Sequence, residues 1–450
     1  MSDFEPLYTT EEMKAAEAAY PGTVEELMER AGSAVAEAAL EQYAEARRWT
    51  VVCGGGANGG DGRIAARELE RAGREVRVVD ARGESDLGEP DAIVDALFGT
   101  GFSGAPRPDA AALIERINAV PATVVAVDLP SGVDASTGEV AGAVVDADVT
   151  VTFHGRKLGV VVAPGRFHAG EVRVADIGLE PVATGARLVR PSLLDSVPRR
   201  SEHDNKYTAG HVLVVGGSPG LTGAPSLTAM AALRADAGYV TLVAPESTLP
   251  VFEQRLLEVV KRPLPDDLGE LAAKASALAI GPGLGRDDRT RSLVRRALAE
   301  LALPAVVDAD ALHGLEPADW PAPRVLTPHE GELGRLLDRP SAEIAAHRVA
   351  AVREAAERFG CVVLLKGPDT LVAAPGRGLL VSSLGLPSLA TAGTGDVLTG
   401  IVGAFLAKGM DAQVAAAAAA AAQQLASVAA EQRAGLVASD LIDALPRVLA

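Results

Sequence analysis

Ala392-Gly393-Thr394-Gly395-Asp396, followed at once by the apolar Val397-Leu398-Thr399-Gly400-Ile401-Val402, decides the reading of the second half of this chain. Small residues leave the backbone N–H groups bare, and a helix is expected to start directly behind them. Bare donors plus the positive end of a helix dipole make an anion site. Asp396 places a carboxylate beside that site. A base next to a phosphate-binding turn points to deprotonating a hydroxyl that takes or sheds a phosphoryl group.

Outward from this turn, short β-branched runs predict strands at His211–Val215, Tyr239–Val243, 277–280, 305–307, 325–327 and 361–365. Helices are expected between them, notably over 342–359 and 397–407. Several strands end in polar or glycine-rich turns: Gly216-Gly217-Ser218-Pro219-Gly220-Leu221-Thr222-Gly223-Ala224, Gly281-Pro282-Gly283-Leu284-Gly285, Thr327-Pro328-His329-Glu330-Gly331-Glu332 and Lys366-Gly367. Lys366, after an apolar strand, suits a phosphate as a point charge. His329 reads equally as a ligand-facing residue and as a cap on the next helix. No second His or Cys stands at zinc spacing, and no G-x-x-x-x-G-K-[ST] loop is present.

The first half alternates in the same way. Strands are expected at 51–53, 76–79, 92–94, 124–127 and 149–152, with helices over 24–44 and 64–72. This alternation predicts a parallel sheet covered on both faces, with ligands at the carboxyl ends of the strands. Gly54-Gly55-Gly56-Ala57-Asn58-Gly59 follows the first strand with the spacing G-x-G-x-x-G, and Asp80 ends the next strand. Alone, that fingerprint is weak. Asn58-Gly59-Gly60-Asp61-Gly62 adds a carboxamide and a carboxylate to the same loop. Asp95 and Asp128-Leu129-Pro130-Ser131 stand at two further strand ends. Asn58, Asp95, Asp128 and Ser131 should therefore converge, and oxygen ligands of that kind suit a hard cation. Each Asp alone would more commonly be a cap or turn former.

Composition narrows the function classes. A chain of 450 residues exceeds one ordinary core, so two domains are expected, with the stretch from Pro181 to Arg200 as the linker. The net charge of −18 and an aromatic content of 3% argue against nucleic acid and anionic membranes. Only seven of the 42 basic residues are lysine, which fits salt adaptation or an Arg-favouring genome. Cys53 and Cys361 lie in separate strand-like runs, so no disulfide and a reducing cytoplasm are expected. The N-terminal segment Met1-Ser2-Asp3-Phe4-Glu5 has neither the basic nor the apolar region of a signal peptide. The alanine run 415–422 is too short to span a bilayer and reads as a tightly packed helix.

Asn58-Gly59-Gly60-Asp61-Gly62, Asp95-Ala96-Leu97-Phe98-Gly99-Thr100-Gly101, Asp128-Leu129-Pro130-Ser131-Gly132-Val133 and Leu27-Met28-Glu29-Arg30-Ala31-Gly32 together resemble the NAD(P)H-hydrate epimerase (YjeF N-terminal) family. Residues from about Asn205 onward resemble the ribokinase-like ADP- or ATP-dependent NAD(P)H-hydrate dehydratases. The resemblance implies an α/β protein of two domains. Residues 1–195 would form a Rossmann-like three-layer sandwich and 200–450 a ribokinase-like domain. In the first, Asn58, Gly59, Gly60, Asp61, Gly99, Thr100, Gly101, Phe102, Ser103, Gly104 and Asp128 would bind the hydrated nucleotide. Asp128 would be the base, and Asn58, Asp95 and Ser131 would hold K+. In the second, Ala224, Gly283, His329 and Asp396 would meet the substrate, with Asp396 catalytic. Lys366, Gly367, Thr391, Ala392, Gly393, Thr394 and Gly395 would bind the nucleotide, which brings Mg2+. Ala57 departs from the family's second Asn; Leu386, Ser388 and Leu389 depart from its Asn, Gly and Met.

The implied activity is repair of hydrated NAD(P)H. R and S epimers are interconverted, and the S form is dehydrated with ADP to give NAD(P)H, AMP and phosphate. The expected partners are the hydrates and ADP, with the chain as a cytoplasmic homo-oligomer touching neither nucleic acid nor membrane. Two rivals remain: a ribokinase-like small-molecule kinase with an accessory N-terminal domain, and a non-catalytic nucleotide- or partner-binding role for that first domain.

Overall fold

The computed structural model describes residues 3–81, 86–430, 432 and 434–450; Met1 and Ser2 of the N-terminal segment lie outside them. The chain forms two compact units. One is Pro6–Ala186; the other is Arg187–Ala450 together with Met1–Glu5.

In the unit Pro6–Ala186, every β-branched run becomes a strand of one all-parallel sheet. Its order is Glu75–Asp80, Arg48–Cys53, Ala92–Ala96, Thr123–Val127, Val149–Phe153 and Glu171–Ala175. The pleat sends alternate residues to opposite faces. Val51, Val94 and Val125 pack with Val35, Ala65 and Leu69 from helices Val24–Gln42 and Ala57–Arg71. Val52, Ile93 and Val124 pack on the other face with Leu113, Ile114 and Ile117 from helix Pro108–Ala119. Each such aliphatic side chain, buried, contributes about 1.5–3 kcal/mol. The three layers expected from the alternation are present. The order switches direction between Arg48–Cys53 and Ala92–Ala96, and such a switch opens a crevice at the carboxyl ends of the strands.

In the second unit, seven parallel strands run Val260–Pro263, Tyr239–Ala244, His211–Val215, Ala277–Ile280, Ala305–Val307, Arg324–Leu326 and Val362–Leu365. Thr370–Ala373 and Leu379–Ser382 add antiparallel. The switch point falls between His211–Val215 and Ala277–Ile280, whose trailing loops are the glycine-rich turns after Val215 and Ile280. Helices Gly223–Arg234, Thr394–Ala407, Ala412–Ala429 and Ala438–Val448 share the core that covers one face of this sheet. The alanine run lies inside Ala412–Ala429 and is wholly buried, so its short side chains let neighbouring helices approach closely. Among the described residues no helix is long and apolar enough to cross a membrane. Cys53 and Cys361 are buried free thiols.

Three details differ from the sequence reading. Pro181–Arg200 is no bare connector. It contains strand Ala186–Val189 and the 3-10 turn Pro191–Ser196, anchored by buried Leu193, Leu194 and Val197. The helix expected over 342–359 breaks at His347 into Ser341–Ala346 and Arg348–Phe359. That break starts the second helix at Arg348, whose guanidinium is buried against Glu330 at 2.6 Å and Asp369 at 3.3 Å. The helix expected from Ile64 begins seven residues earlier, at Ala57.

Candidate functional site

The earlier start of that helix builds the first cleft. Asn58, Gly59, Gly60 and Asp61 form its opening turn instead of a free loop. Gly59 is needed for close approach, because a Cβ there would sit 1.9 Å from the Gly54 carbonyl oxygen. Gly56, the N-cap, offers no side-chain bond, whereas Thr9 and Thr23 close capping boxes on helices Thr10–Ala18 and Val24–Gln42. The uncapped N–H groups face a cleft of about 500 Å³ lined by Ala57, Asn58, Asp61, Gly99–Phe102 and Asp128, with Glu17, Phe98 and Phe153. Gly60 instead packs toward Met28, and Ser103 and Gly104 continue the loop beyond the lining residues. Asp80 is occupied by Arg63 at 2.6 Å.

Asp95 and Ser131 lie wholly buried. Asp95 accepts from Ser131 N at 2.8 Å, Ser131 Oγ at 2.7 Å and Leu97 N at 3.2 Å. Burial pushes its carboxyl up to about 6 against the pull of those bonds, and among the described residues no basic group offsets it. Asn58 Nδ2 and Asp61 Oδ1 are buried without a partner. Burial, then Asp128 and Glu17, lift Asp61 to about 8, so it holds its proton at neutral pH.

Asp128 leaves strand Thr123–Val127 in the left-handed region, φ 68°. Its N–H donates to Val151 O at 2.8 Å. Its Oδ1 meets Lys157 Nζ at 2.5 Å and accepts from Thr152 Oγ1 at 3.1 Å. Lys157 escaped the sequence reading except as one of the scarce lysines. That scarcity was the available signal, since its partner lies 29 positions away.

The second site gathers around helix Thr394–Ala407. Its N-cap Gly393, φ 90°, gives no side-chain cap, whereas Asp287 and Asp411 cap the helices that follow them. The turn before it is closed locally: Thr391 Oγ1 donates to Ser388 O, and Thr394 Oγ1 to Leu389 O and Thr391 O. Ala392 sits between those two threonines. Asp396 lies in the first turn. Burial raises it to about 7, Asp308 adds to the rise and Lys366 opposes it. The helix dipole favours its charge but is outweighed.

Lys366 Nζ bonds Asp308 Oδ1 at 2.8 Å and lies 3.9 Å from Glu332 Oε2. It would stand 3.3 Å from a Cβ on Gly395, which ties the strand-end lysine to the Asp396 turn. Burial pulls Lys366 down, but Asp308 and Glu332 hold it above the ordinary lysine range. Thr399 Oγ1 donates to the other Asp308 oxygen at 2.7 Å. Asp308 was missed in the sequence, although it ends a strand just as Asp95 and Asp128 nearly do.

Ala224 opens helix Gly223–Arg234, whose Thr228 donates to Asp396 O at 3.0 Å. Gly283, φ 58°, accepts from Gly217 N at 2.9 Å and Ser218 N at 2.7 Å, fixing the loop that leads to Ala224. His329 is the cap: its Nδ1 accepts from Gly331 N at 3.0 Å, and Glu332 accepts from His329 N at 3.0 Å. It nevertheless lines one cavity with Lys366 and Gly367. The cap is therefore present, and the ring also faces that cavity.

Residues 212–447 match the NAD(P)H-hydrate dehydratase family, and residues 24–89 and 79–159 match the YjeF-related protein N-terminus. The bifunctional NAD(P)H-hydrate repair enzyme of Moorella thermoacetica is 39% identical, over 94% of this chain and 92% of its own. That of Escherichia coli is 35% identical, over 95% and 90%. Among solved structures, the ADP/ATP-dependent NAD(P)H-hydrate dehydratase of Bacillus subtilis, co-crystallised with ATP and Mg2+, is 29% identical with a TM-score of 0.52. It covers 57% of this chain and 94% of its own. A ribokinase-like superfamily protein of Enterococcus faecalis, 22% identical over 60% of this chain and 97% of its own with a TM-score of 0.52, shares the fold. With two uncapped helix starts, each beside a buried aspartate, and relatives matching along nearly its whole length, the chain belongs to the bifunctional NAD(P)H-hydrate repair enzymes.

Proposed function

We propose that this protein restores NAD(P)H from its hydrates in two steps, with Asp128 and Asp396 as the respective bases. The hydrates carry a hydroxyl at C6, next to the ring nitrogen. In the first cleft, protonated Asp61 donates to that hydroxyl as the C6–O bond breaks and water leaves. Loss of water leaves the ring as a cation at N1–C6; water then adds to the other face, Asp128 takes its proton, and that proton returns to Asp61 through solvent, giving the other epimer. The uncapped N–H groups ahead of Asn58 hold the nucleotide's phosphates. Asn58, Asp95 and Ser131 fit a potassium ion, because among the described residues Asp95 is a buried carboxylate without a cationic partner and Asn58 leaves a buried amide unpaired. When bound, K+ supplies that missing charge beneath the cleft.

In the second unit, Asp396 removes the proton of the S-epimer hydroxyl as the oxygen attacks the terminal phosphorus of ADP, and AMP leaves. The phosphate ester then departs with the C6–O pair while C5 loses a proton, which regenerates the dihydronicotinamide ring. Lys366 and the open start of helix Thr394–Ala407 hold the phosphates in line. Among the described residues no group of three or more His, Cys, Asp or Glu forms a metal cage. This fits Mg2+ entering on the nucleotide's phosphates, where it offsets their charge. The observation that carries the reading is Asp396, held near neutrality by burial beside Lys366 at an uncapped helix start. The dinucleotide substrate and the two unpaired thiols support a cytoplasmic location.

The experiment is to offer purified R-epimer to Asp128→Asn and Asp396→Asn proteins. The first should consume R no faster than it converts spontaneously. The second should epimerise normally and restore no NADH. Parental R consumption by Asp128→Asn would remove that aspartate from the mechanism.

A further inference from the structure

We propose that Lys157 is the positioning residue of the epimerisation centre, holding Asp128 by one oxygen so that the other is presented to the substrate. This rests on the reading that the first unit epimerises hydrates. Lys157 is fully buried and its three donors are filled: Asp128 Oδ1 at 2.5 Å, Thr152 Oγ1 at 3.0 Å and Phe153 O at 2.8 Å. Thr152 in turn donates to the same Asp128 Oδ1. Among the described residues these contacts fall on Oδ1 and none on Oδ2, while Asp128 lines the cleft.

The lysine is itself held from outside the site. Tyr8 N donates to Arg156 O at 2.9 Å and Leu158 N to Tyr8 O at 3.0 Å, so the backbone on either side of Lys157 is clamped. A compact ammonium with three donors fills this pocket in a way that a planar guanidinium cannot, in a chain where only seven of 42 basic residues are lysine. Without it, Asp128 would be a buried carboxylate facing other acids. Asp61 reaches it from helix Ala57–Arg71 and Glu17 from helix Thr10–Ala18, with Lys14 beside Glu17. His154, beside Lys157, is held in its neutral form chiefly by burial. Lys157 is therefore the one cation in contact with Asp128 among the described residues, and an unpaired buried charge is strongly disfavoured.

The test is Lys157→Met in the full-length chain, assayed on R-epimer, with thermal unfolding beside the parent reporting the fold and S-epimer dehydration reporting the amount of active chain. The expected result is a fall in epimerisation kcat of about 100-fold with KM within about threefold, as for an interaction that matters in the transition state. Dehydration should stay at the parental rate. If Lys157→Met melts well below the parent, Thr152→Val, which removes only the bridging hydroxyl, should still lower epimerisation kcat about tenfold. A parental kcat in a folded Lys157→Met protein, or a parental kcat in Thr152→Val, would overturn the proposal. An inactive parent would instead overturn the epimerase reading itself.

Discussion

Replacing Asp396 by Asn should make the protein more stable and leave it unable to dehydrate. The carboxyl is lifted from 3.8 to about 7, first by burial and then by Asp308. A raised acid stabilises the fold below its unfolded value. That contribution is lost as pH rises through the folded value, so above about pH 7 the ionised group strains the native state. The displacement corresponds to a ceiling of about 4 kcal/mol, and local relaxation leaves about 1–2 kcal/mol to recover. Asn has the same shape and no charge. At pH 8 the variant's Tm should rise by about 2–8 °C, and near pH 4 the gain should vanish. Over the same range the parental dehydration rate should climb with the ionised fraction, from roughly one tenth at pH 6 to roughly nine tenths at pH 8. Loss of a general base costs about 10²–10⁴ in kcat, or about 3–5 kcal/mol of barrier. The assay pairs recovery of NADH absorbance from S-epimer with thermal unfolding across pH. A variant that dehydrates at near-parental rate, or that melts below the parent at pH 8, would refute the reasoning.

Three further outcomes follow from the geometry. Gly59→Ala puts a Cβ 1.9 Å from the Gly54 carbonyl oxygen, and overpacking backbone there should cost about 3 kcal/mol, read as a lower Tm; an unchanged Tm would deny the close approach. Replacing choline by K+ should raise the Tm of the parent but not of Asp95→Asn, because the buried carboxylate is the charge that the ion would meet; equal gains in both would remove Asp95 from the site. Lys366→Met should raise the KM for ADP about tenfold or more, since it removes the ammonium beside Gly395; an unchanged KM would place the phosphates elsewhere.

Much of this architecture was legible in one-dimensional pattern. Strands such as Val149–Phe153 announce themselves by β-branching, and their alternation with helices announces parallel sheets; the order of the strands, and with it each switch point, does not announce itself. The Gly393-Thr394-Gly395-Asp396 turn proved to be an uncapped helix start, as its small residues suggested. Less visible was what only close packing decides. Helix Ala57–Arg71 begins among glycines that propensity counts against a helix, because Gly59 alone can approach Gly54. Lys157 with Asp128, and Asp308 with Lys366, are pairs of 29 and 58 positions' separation that strand order, and nothing local, brings together. Arg348 looks like a surface helix residue until the break at His347 turns it inward.

The most direct test of the account is stoichiometric. An equal mixture of R- and S-hydrate is given ADP, Mg2+ and K+, and NADH and AMP are counted to completion, faster than the epimers interconvert unaided. Two consecutive activities on one chain predict that the whole hydrate pool returns as NADH, with one AMP formed for each. Recovery that stops at the S half, or NADH formed without matching AMP, would contradict it.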